Sequence, residues 1–368
     1  MEARFALLAW FDRHHRALPW RSVGPTADSP IDPYAVWVSE IMLQQTRVET
    51  VIPYFERFLA RFPGLASLAE AEEAEVLALW SGLGYYRRCR SLLAAAKQVV
   101  AGGGRLPENA RGLERLPGIG PYTAAAIASI AFGEAVPVLD GNVERVLCRY
   151  SARPAGGRRK RDRDQLLGLA AELLDRRRPG DSNQALMELG ATICTPRAPR
   201  CPSCPLAPDC QARALDAAES YPAPERRADP ERVRQLVAFV EENGRLLLFR
   251  RSANSSQLAG LWEFPAVELG GHRAAEAELS GRFGGQWTLG PELVRLRHAI
   301  TKRTFAIEVR RAAIRTADDS VGESGPRYDS GDGTGRPEPG WWSRDELAGL
   351  ALTGLARKLL ARRESQPA

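Results

Sequence analysis

Residues 116–146 read LPGIGPYTAAAIASIAFGEAVPVLDGNVERV, and the rest of the chain can be interpreted outward from this stretch. It begins with a Gly-Pro hairpin at 116–120, continues into a run of small apolar residues, and reaches a single acid at Asp140. Gly118 and Gly120 allow a tight turn whose backbone N–H groups stay accessible. A following helix adds the positive end of its dipole, so the pattern indicates a phosphate site. The same pattern is also typical of an ordinary turn and helix N-cap.

Composition and charge describe a globular chain with a mild basic excess. Its 368 residues, 44% hydrophobic and 26% charged, are enough for two domains with separate cores. A net charge of +6 is compatible with a polyanionic partner, although a solvated surface produces such an excess as well. The N-terminal apolar run is too short, and too soon interrupted by charge, for a signal peptide or membrane span. We therefore expect a cytoplasmic protein without a membrane partner.

A helix is predicted to begin at Pro33, with Asp32 as its N-cap, and to continue through PYAVWVSEIMLQQTRVETV. Its apolar residues suit a buried face, which places Glu40 in an otherwise apolar surround. A carboxylate there is either a functional acid or a member of a solvated face. Helical spacing alone favours the solvated face.

Two further segments have an aromatic or basic character. The stretch WSGLGYYRR at 80–88 sets tyrosines beside arginines, which suits base stacking and phosphate contact as well as an ordinary helix start. Helices are predicted at 66–79, at 91–100, and at 109–116 before the hairpin. The basic segment 156–164 is predicted to be a surface loop, either near DNA or simply solvated.

Four of the six cysteines lie in one Pro-rich loop, CTPRAPRCPSCPLAPDC at 194–210. They are spaced C-x6-C-x2-C-x5-C: Cys194, Cys201, Cys204 and Cys210. In a reducing compartment such a group predicts a metal centre. Zinc would more usually show two close pairs, whereas only Cys201 and Cys204 form one here, so the spacing favours a [4Fe-4S] cluster. Cys89 and Cys148 lie outside the loop and are expected to be buried structural residues.

After a linker-like stretch rich in Ala, Pro and Glu, the hydrophobic period changes from helical to alternating. Strands are predicted at 233–240 and 245–251, around the turn pair Asn243-Gly244, and at 262–265 and 305–309. Helices are predicted at 344–350 and 353–363, so this part should be α+β. The polar residues 316–340 are expected to form a disordered loop.

Together these motifs resemble the adenine DNA glycosylase (MutY) family within the endonuclease III-like helix-hairpin-helix superfamily. The resemblance rests on PYAVWVSEIMLQQTRV, WSGLGYYRR, LPGIGPYTA, VLDGNVERV, NQALMELG and the cysteine loop. It implies an all-α helix-hairpin-helix domain with an iron–sulfur loop at 1–215 and a linker at 216–231. Through LLLFRR, GLWEFP and LRHAITKR, residues 232–368 are similar to that family's α+β Nudix-like domain.

The resemblance also implies a reaction and its residues. Glu40 would protonate adenine, which requires a raised pKa, and Asp140 would remain ionised and stabilise the oxocarbenium-like sugar. Tyr122 and Asn142 would support Asp140. In bifunctional relatives a lysine occupies the position of Tyr122, so a monofunctional glycosylase is expected.

Further residues match family positions around the DNA. Gln44, Gln45, Thr46 and Tyr85 would intercalate near the mismatch, and Gly118 and Gly120 would contact the backbone. The matches around the extruded adenine are Arg16, Leu18, Trp20, Arg21 and Gln184. Leu18 and Trp20 are equally consistent with a core position, and Arg16 and Arg21 with the surface.

The C-terminal domain departs from the family pattern. The family often senses 8-oxoguanine with a Phe-Ser-His loop, whereas the aligned residues here are Ile300-Thr301-Lys302, after His298. Thr301 keeps a hydroxyl group, and we retain His298 and Thr301 as candidate DNA contacts. The segment after Glu268 lacks the glutamate-rich Nudix box, so no pyrophosphatase activity is expected.

The predicted function is therefore the removal of adenine opposite 8-oxoguanine or guanine in double-stranded DNA by a cytoplasmic, nucleoid-associated monomer. The alternatives are an endonuclease III-like pyrimidine glycosylase with lyase activity, a catalytically silent DNA-damage binder, and a Nudix nucleotide hydrolase. Tyr122 argues against the first, the pair Glu40 and Asp140 against the second, and the degenerate box against the third.

Overall fold

The chain divides into two compact units. A computed structural model describes residues 2–21, 31–154, 156–157, 159–223, 229–252, 255, 258–270, 274–300, 302–315 and 337–364. The first unit comprises Met1–Ala71 and Arg87–Arg226, and the second comprises Glu72–Tyr86 and Arg227–Ala368. Residues 72–86 thus group with the second unit, and the predicted domain boundaries at 215 and 231 stay a prediction. Among the described residues, no helix combines the length and hydrophobicity that crossing a bilayer requires.

The first unit is helical in its described part, as predicted. Its helices are α1 Glu2–His14, α2 Pro33–Leu43, α3 Val48–Arg61, α4 Leu65–Ala69, α6 Tyr86–Ala101, α7 Ala110–Leu113, α8 Pro121–Phe132, α9 Gly141–Tyr150, α10 Lys160–Leu173, α11 Pro179–Thr192 and α12 Gln211–Ala214. One core is formed by apolar residues of α1, α8, α9, α10 and α11, including Leu7, Leu147 and Leu189, each fully buried. Both Cys89 and Cys148 are fully buried, as expected.

Helix α2 begins as the sequence predicts and ends earlier. The side chain of Asp32 accepts a hydrogen bond from the N–H of Tyr34, and Pro33 occupies the first helical position. The predicted continuation through Val51 is wrong, because the helix stops at Leu43 and Gln45 adopts a φ of +56°. A left-handed residue cannot continue a right-handed helix. The segment Gln44–Arg47 is therefore a turn between α2 and α3.

Small residues allow α8 and α11 to pack closely on their neighbours. Gly120 and Pro121 start α8, whose alanines at 124–126 are buried. In α11, a Cβ atom on Gly180 would lie 2.7 Å from the backbone oxygen of Ser129, and one on Gly190 would lie 2.7 Å from the Cβ of Asn142. These approaches bring α11 against α8 and against the first turn of α9, where two of the predicted site residues lie.

The second unit is α+β, as predicted, and its described strands form two sheets. Its helices are α5 Glu73–Trp80, α13 Ala275–Phe283, α14 Arg344–Leu347 and α15 Gly354–Glu364. Its strands are β1 Glu231–Phe239, β2 Glu241–Glu242, β3 Arg245–Arg250, β4 Trp262–Glu263, β5 Ala266–Leu269, β6 Gln286–Ile300, β7 Arg303–Arg315 and β8 Glu338–Ser343. One sheet has the order β5-β1-β7-β6, and the other joins β2, β3 and β4 with β8 paired to β3.

Hydrogen bonds explain why residues 72–86 group with the second unit. The hydroxyl of Ser81 donates to the carbonyl oxygen of Leu352 at 2.7 Å, and Arg357 of α15 donates to that hydroxyl at 2.7 Å. Tyr86 donates to the same carbonyl oxygen. The chain after α5 is thus bound to the start of α15.

Several predicted elements differ from the structure. The helix predicted at 66–79 is interrupted between α4 and α5, and the loop predicted at 156–164 already enters α10 at Lys160. The disordered loop predicted at 316–340 is wrong at its end, since Glu338–Gly340 lie in β8, and residues 316–336 lie outside the described residues. The sequence patterns do not predict β5, β6, β8 or α13.

Candidate active site

One cavity of about 640 Å³ in the first unit collects most of the predicted site residues. It is lined by α1, α2, α8, the start of α9 and α11, together with the short 3₁₀ turn Pro19–Arg21. The predicted residues in its wall are Arg16, Leu18, Trp20, Arg21, Glu40, Gln44, Gln45, Thr46, Tyr122, Asp140, Asn142 and Gln184. The fold therefore brings together residues that are far apart in the sequence.

Glu40 is a buried acid in the wall of this cavity, with 6% of its surface exposed. The solvated-face alternative is therefore excluded. Burial raises the pKa of Glu40 to about 7, and the nearby charge of Asp140 acts in the same direction. The hydroxyl of Tyr122 donates a hydrogen bond to Oε2 of Glu40 at 3.0 Å, which opposes that shift. Near neutral pH this carboxyl group can both hold and release a proton.

Asp140 is the N-cap of α9, and both of its carboxylate oxygens are engaged. Oδ1 accepts a hydrogen bond from the N–H of Val143 at 2.7 Å, and Oδ2 accepts one from the side-chain amide of Asn142 at 3.1 Å. Burial raises the pKa of Asp140, while these hydrogen bonds and the charge of Arg145 lower it. The hydrogen bonds at the helix N-terminus therefore cancel only part of the rise in pKa that burial causes. The arrangement fixes the orientation of the carboxylate at the cavity wall.

Arg16 and Arg21 are both bound by Glu188 of α11, an acid that is not among the predicted site residues. Arg16 Nε lies 2.6 Å from Glu188 Oε1, and Arg21 Nη2 lies 3.1 Å from Oε2. Arg21 Nε also donates to Oε1 of Gln184 at 2.9 Å. Arg21, with 15% of its side chain exposed, is therefore not a surface residue, while Arg16 is partly buried with 35% of its side chain exposed. Leu18 and Trp20 are buried, at 6% and 7% exposure, as the core alternative expects, and they also line the cavity.

The turn after α2 is fixed by another unpredicted residue, Arg88 of α6. Its guanidinium donates to the carbonyl oxygens of Ile41, Met42 and Gln44, at 2.7, 3.0 and 2.5 Å. A cation at a helix C-terminus is favourable because the last carbonyl groups have no partner within the helix. The side chain of Gln44 is turned inward and donates to the hydroxyl of Thr123 at 3.1 Å. Gln45 remains exposed.

The four cysteines of the loop line a second, small cavity together with Arg149 and Arg213. All are free thiols, and burial raises the pKa of Cys204 to about 11 and also raises that of Cys210. A cationic centre is what such a group of thiols needs in order to ionise. Among the described residues, no group of three or more His, Cys, Asp or Glu side chains is arranged to hold a metal ion. The chemistry of the donor set, four thiols within one short loop, nevertheless suits a four-thiolate metal centre.

Comparisons with known proteins agree with these features. Residues 38–168 match the family model described as HhH-GPD superfamily base excision DNA repair protein. An adenine DNA glycosylase of Arabidopsis thaliana is 44% identical over 299 residues, which are 72% of this chain and 47% of that protein. An adenine DNA glycosylase of Schizosaccharomyces pombe is 36% identical over 323 residues, 73% of this chain and 69% of that protein. The chain belongs to the adenine DNA glycosylase family.

The extent of the similarity differs between relatives. The chain spans about half the length of the Arabidopsis adenine DNA glycosylase, 47%. Among solved structures, a thermostable thymine-DNA glycosylase is similar with a TM-score of 0.51 and 28% identity, over 58% of this chain and 95% of that protein. The helical fold is thus shared with a glycosylase that is named for a different base.

The Gly-Pro hairpin of this adenine DNA glycosylase family member lies outside the lining of the large cavity. Gly118 has a φ of +78°, and a side chain there would collide with Ser91. Both the positive φ and the short distance to Ser91 require a glycine at this position. Gly120 is the N-cap of α8 and has no side chain with which to cap the first turn of that helix. The hairpin therefore leads directly into the helix that carries Tyr122.

The remaining predicted DNA contacts lie in the second unit. Tyr85 is 47% exposed and has a φ of +51°, so its ring projects from a constrained turn. His298 lies in β6, where burial and the nearby Lys358 lower its pKa. Thr301 lies outside the described residues. Lys302 follows it, and its carbonyl oxygen accepts a hydrogen bond from the N–H of Glu231 at 2.8 Å.

Two arginines near the cysteine loop were also missed. Arg145 donates to Oδ1 of Asn142 at 2.8 Å and to the carbonyl oxygen of Cys194 at 2.8 Å. Arg149, 3% exposed, donates to Sγ of Cys194 at 3.4 Å and to the carbonyl oxygen of Thr195 at 2.7 Å. Both occur in the quoted motif VLDGNVERV or just after it. Their spacing of four along α9, which sets them on one face, was the available signal.

Proposed function

We propose that the chain is a monofunctional DNA glycosylase that hydrolyses the N-glycosidic bond of adenine mispaired with 8-oxoguanine or guanine in double-stranded DNA. The observation that carries this proposal is the constellation of the large cavity. A buried acid with a pKa near neutrality, Glu40, shares that cavity with an oriented carboxylate, Asp140. Paired carboxyl groups with different environments are the arrangement that glycosidic bond cleavage uses.

Glu40 acts as the general acid. A base extruded from the duplex enters the cavity, and the protonated carboxyl group donates its proton to the adenine ring. The bond between C1′ and the base then breaks with its electron pair moving to adenine, which leaves as the neutral base. Because Glu40 must be protonated, base release should fall as the pH rises above about 7. The hydrogen bond from Tyr122 keeps the carboxyl group directed into the cavity.

Asp140 stabilises the positive charge that develops on the sugar. Its carboxylate is fixed by the N–H of Val143 and by Asn142, so it does not need to reorient when the charge appears. Water then adds to C1′, and the ionised Glu40 accepts its proton. Arg145 holds Asn142 in place from the other side.

Tyr122 supports a monofunctional reaction. Cleavage of the strand through a Schiff base requires an amine nucleophile at the sugar. Tyr122 occupies the position of that lysine in the bifunctional relatives, and its hydroxyl is already bound to Glu40. The product should therefore be an abasic site in an intact strand.

The turn at 44–46 and Tyr85 are proposed to contact the mismatch. Gln45 is exposed on a backbone that Arg88 fixes, which suits insertion into a base stack. Tyr85 presents an exposed ring, and aromatic rings stack on bases without regard to sequence. For the second unit, we propose that His298 and Thr301 contribute to sensing the partner base.

We infer that the cysteine loop holds a [4Fe-4S] cluster bound by Cys194, Cys201, Cys204 and Cys210. The cluster would supply a fixed link between the ends of the loop, and could exchange electrons. Arg149 donates hydrogen bonds to Sγ of Cys194 and to the carbonyl oxygen of Thr195, and so binds the loop at its first cysteine. Iron and sulfide analysis together with visible absorption of anaerobically prepared protein tests this. Zinc with no iron in that preparation would contradict it.

Single-turnover incubation with defined duplexes tests the proposed reaction. Adenine opposite 8-oxoguanine or guanine should be released, and a nick should appear only after alkali treatment. Duplexes with oxidised pyrimidines or a thymine–guanine mismatch should remain intact. Release of the pyrimidine instead of adenine would support the alternative glycosylase. A borohydride-stable protein–DNA adduct formed by the wild type at high yield would contradict the monofunctional reaction.

A further inference from the structure

The wall of the large cavity contains a buried ion-pair cluster that the reaction described above does not use. Glu188 has 1% of its side chain exposed, and its two oxygens bind both Arg16 and Arg21. The backbone N–H of Arg16 also donates to Oε1 of Glu188 at 3.2 Å. Burial by itself would raise the pKa of Glu188, but the hydrogen bond from Arg16 and the charges of Arg21 and Arg16 bring it below its ordinary value.

The cluster lies close enough to Glu40 to influence it electrostatically. Arg21, whose side chain is 15% exposed, acts on the carboxyl group of Glu40 and lowers its pKa. A buried ion pair contributes little to stability compared with apolar residues of similar volume. A role in placing charge beside the acid therefore explains the cluster better than stability does.

We propose that Glu188 is a positioning residue: its carboxylate holds Arg21 and Arg16 against the cavity wall and neutralises them, so that Glu40 stays protonated. This inference rests on the proposed base excision, in which Glu40 is the acid. Without Glu188, the charge of Arg21 is uncompensated and favours the ionised form of Glu40. Besides Arg21, Tyr122 and Asp140 act on Glu40 directly. The other charged or titratable groups that line the cavity are Asp12, His15, Arg178 and Asp181.

A second charged cluster in the cavity wall has the opposite excess of charge. Arg178 binds Asp12 at 2.5 Å and Asp181 at 2.7 Å, which leaves this triad with two acids and one base. In contrast, the cluster around Glu188 has two bases and one acid. Removal of Glu188 therefore adds net positive charge to the cavity, whereas removal of Arg21 subtracts it.

The test is the pH dependence of adenine release under single-turnover conditions. In Glu188→Gln, the pH at which the rate falls on the basic side should lie about one unit lower than in the wild type, since nearby charges shift a carboxyl pKa by that order. Well above that pH, the rate should be about tenfold lower. In Arg21→Gln the fall should move to higher pH, and in the double variant Arg21→Gln/Glu188→Gln it should return close to the wild-type position.

The pH at which the rate falls distinguishes a positioning role of Glu188 from a purely structural role. Loss of a structural role would lower the rate equally at all pH values. Glu56→Gln on α3 is the matched control, since Glu56 is exposed and absent from the cavity lining. Circular dichroism and duplex binding verify folding, and if Glu188→Gln does not fold, Arg21→Gln decides the question. If the pH at which the rate falls is the same in the folded variants as in the wild type, the inference is overturned. Absence of adenine release from the wild type would instead overturn the proposed function.

Discussion

Replacement of Glu40 by glutamine should produce an inactive but more stable protein, with a stability gain that depends on pH. Burial raises the pKa of Glu40 from 4.5 to about 7. Below about pH 4.5 the carboxyl group is neutral in both the folded and the unfolded chain. Between pH 4.5 and 7 the unfolded chain loses this proton while the folded protein keeps it, so the wild type becomes progressively less stable. Above pH 7 the loss is complete.

The size of the effect follows from the size of the shift. A difference between 4.5 and about 7 corresponds to about 3 kcal/mol in the free energy of unfolding. Glutamine is neutral at every pH, so Glu40→Gln avoids this destabilisation. For a unit of this size the gain should raise Tm by roughly 6–12 °C at neutral to alkaline pH, and by little near pH 4.5.

The assay is a pair of thermal unfolding series, wild type and Glu40→Gln, recorded across that pH range. Glu56→Gln serves as the control for removal of an exposed carboxylate. In parallel, adenine release should drop by at least about 10²-fold, the usual contribution of a general acid. A gain in Tm that is the same at every pH, or a variant less stable than the wild type above pH 7, would refute the assigned pKa.

Three further outcomes are expected. Asp140→Asn should reduce adenine release by about 10³-fold, as measured in single turnover, while Tm changes little because asparagine is also a good N-cap. Arg88→Met removes the guanidinium that binds the carbonyl oxygens at the end of α2, so Tm should fall by several degrees, consistent with a loss of about 1–3 kcal/mol. Cys204→Ser should lower the iron content and the visible absorption of purified protein, and a cluster retained in full would exclude this ligand.

Much of the large cavity could be predicted because its residues lie in motifs with local physical meaning. Asp32 and Pro33 mark the start of α2, and a carboxylate seven residues into an apolar helix is noticeable in the sequence. Asp140 could be recognised as a helix N-cap in the same way. What remained open was the exposure of Glu40, since the helical period allows either face. Only the packing of α2 against α8 and its other neighbours makes that residue 6% exposed.

The features that were missed depend on contacts between distant residues. Glu188 binds Arg16 and Arg21, more than 160 residues earlier, and no local pattern encodes such a pair. The same is true of the second unit, where β1 pairs in parallel with β7 and in antiparallel with β5. The break after Leu43 was missed because Gln44-Gln45-Thr46 contains neither glycine nor proline, the usual residues of a turn. Here the guanidinium of Arg88 supplies what the local sequence lacks.

The apolar character of α2 explains how a costly acid is tolerated at this position. Trp37, Val38 and Met42 are fully buried, and each large side chain contributes roughly 1.5–3 kcal/mol to folding. Their burial exceeds the destabilisation of about 3 kcal/mol that Glu40 introduces at neutral pH. The same apolar surround is the cause of the raised pKa that general acid catalysis needs. In a variant that opened this surround to water, the pKa of Glu40 would fall. Glu40 would then destabilise the fold less at neutral pH, but it would no longer carry the proton that the proposed reaction requires.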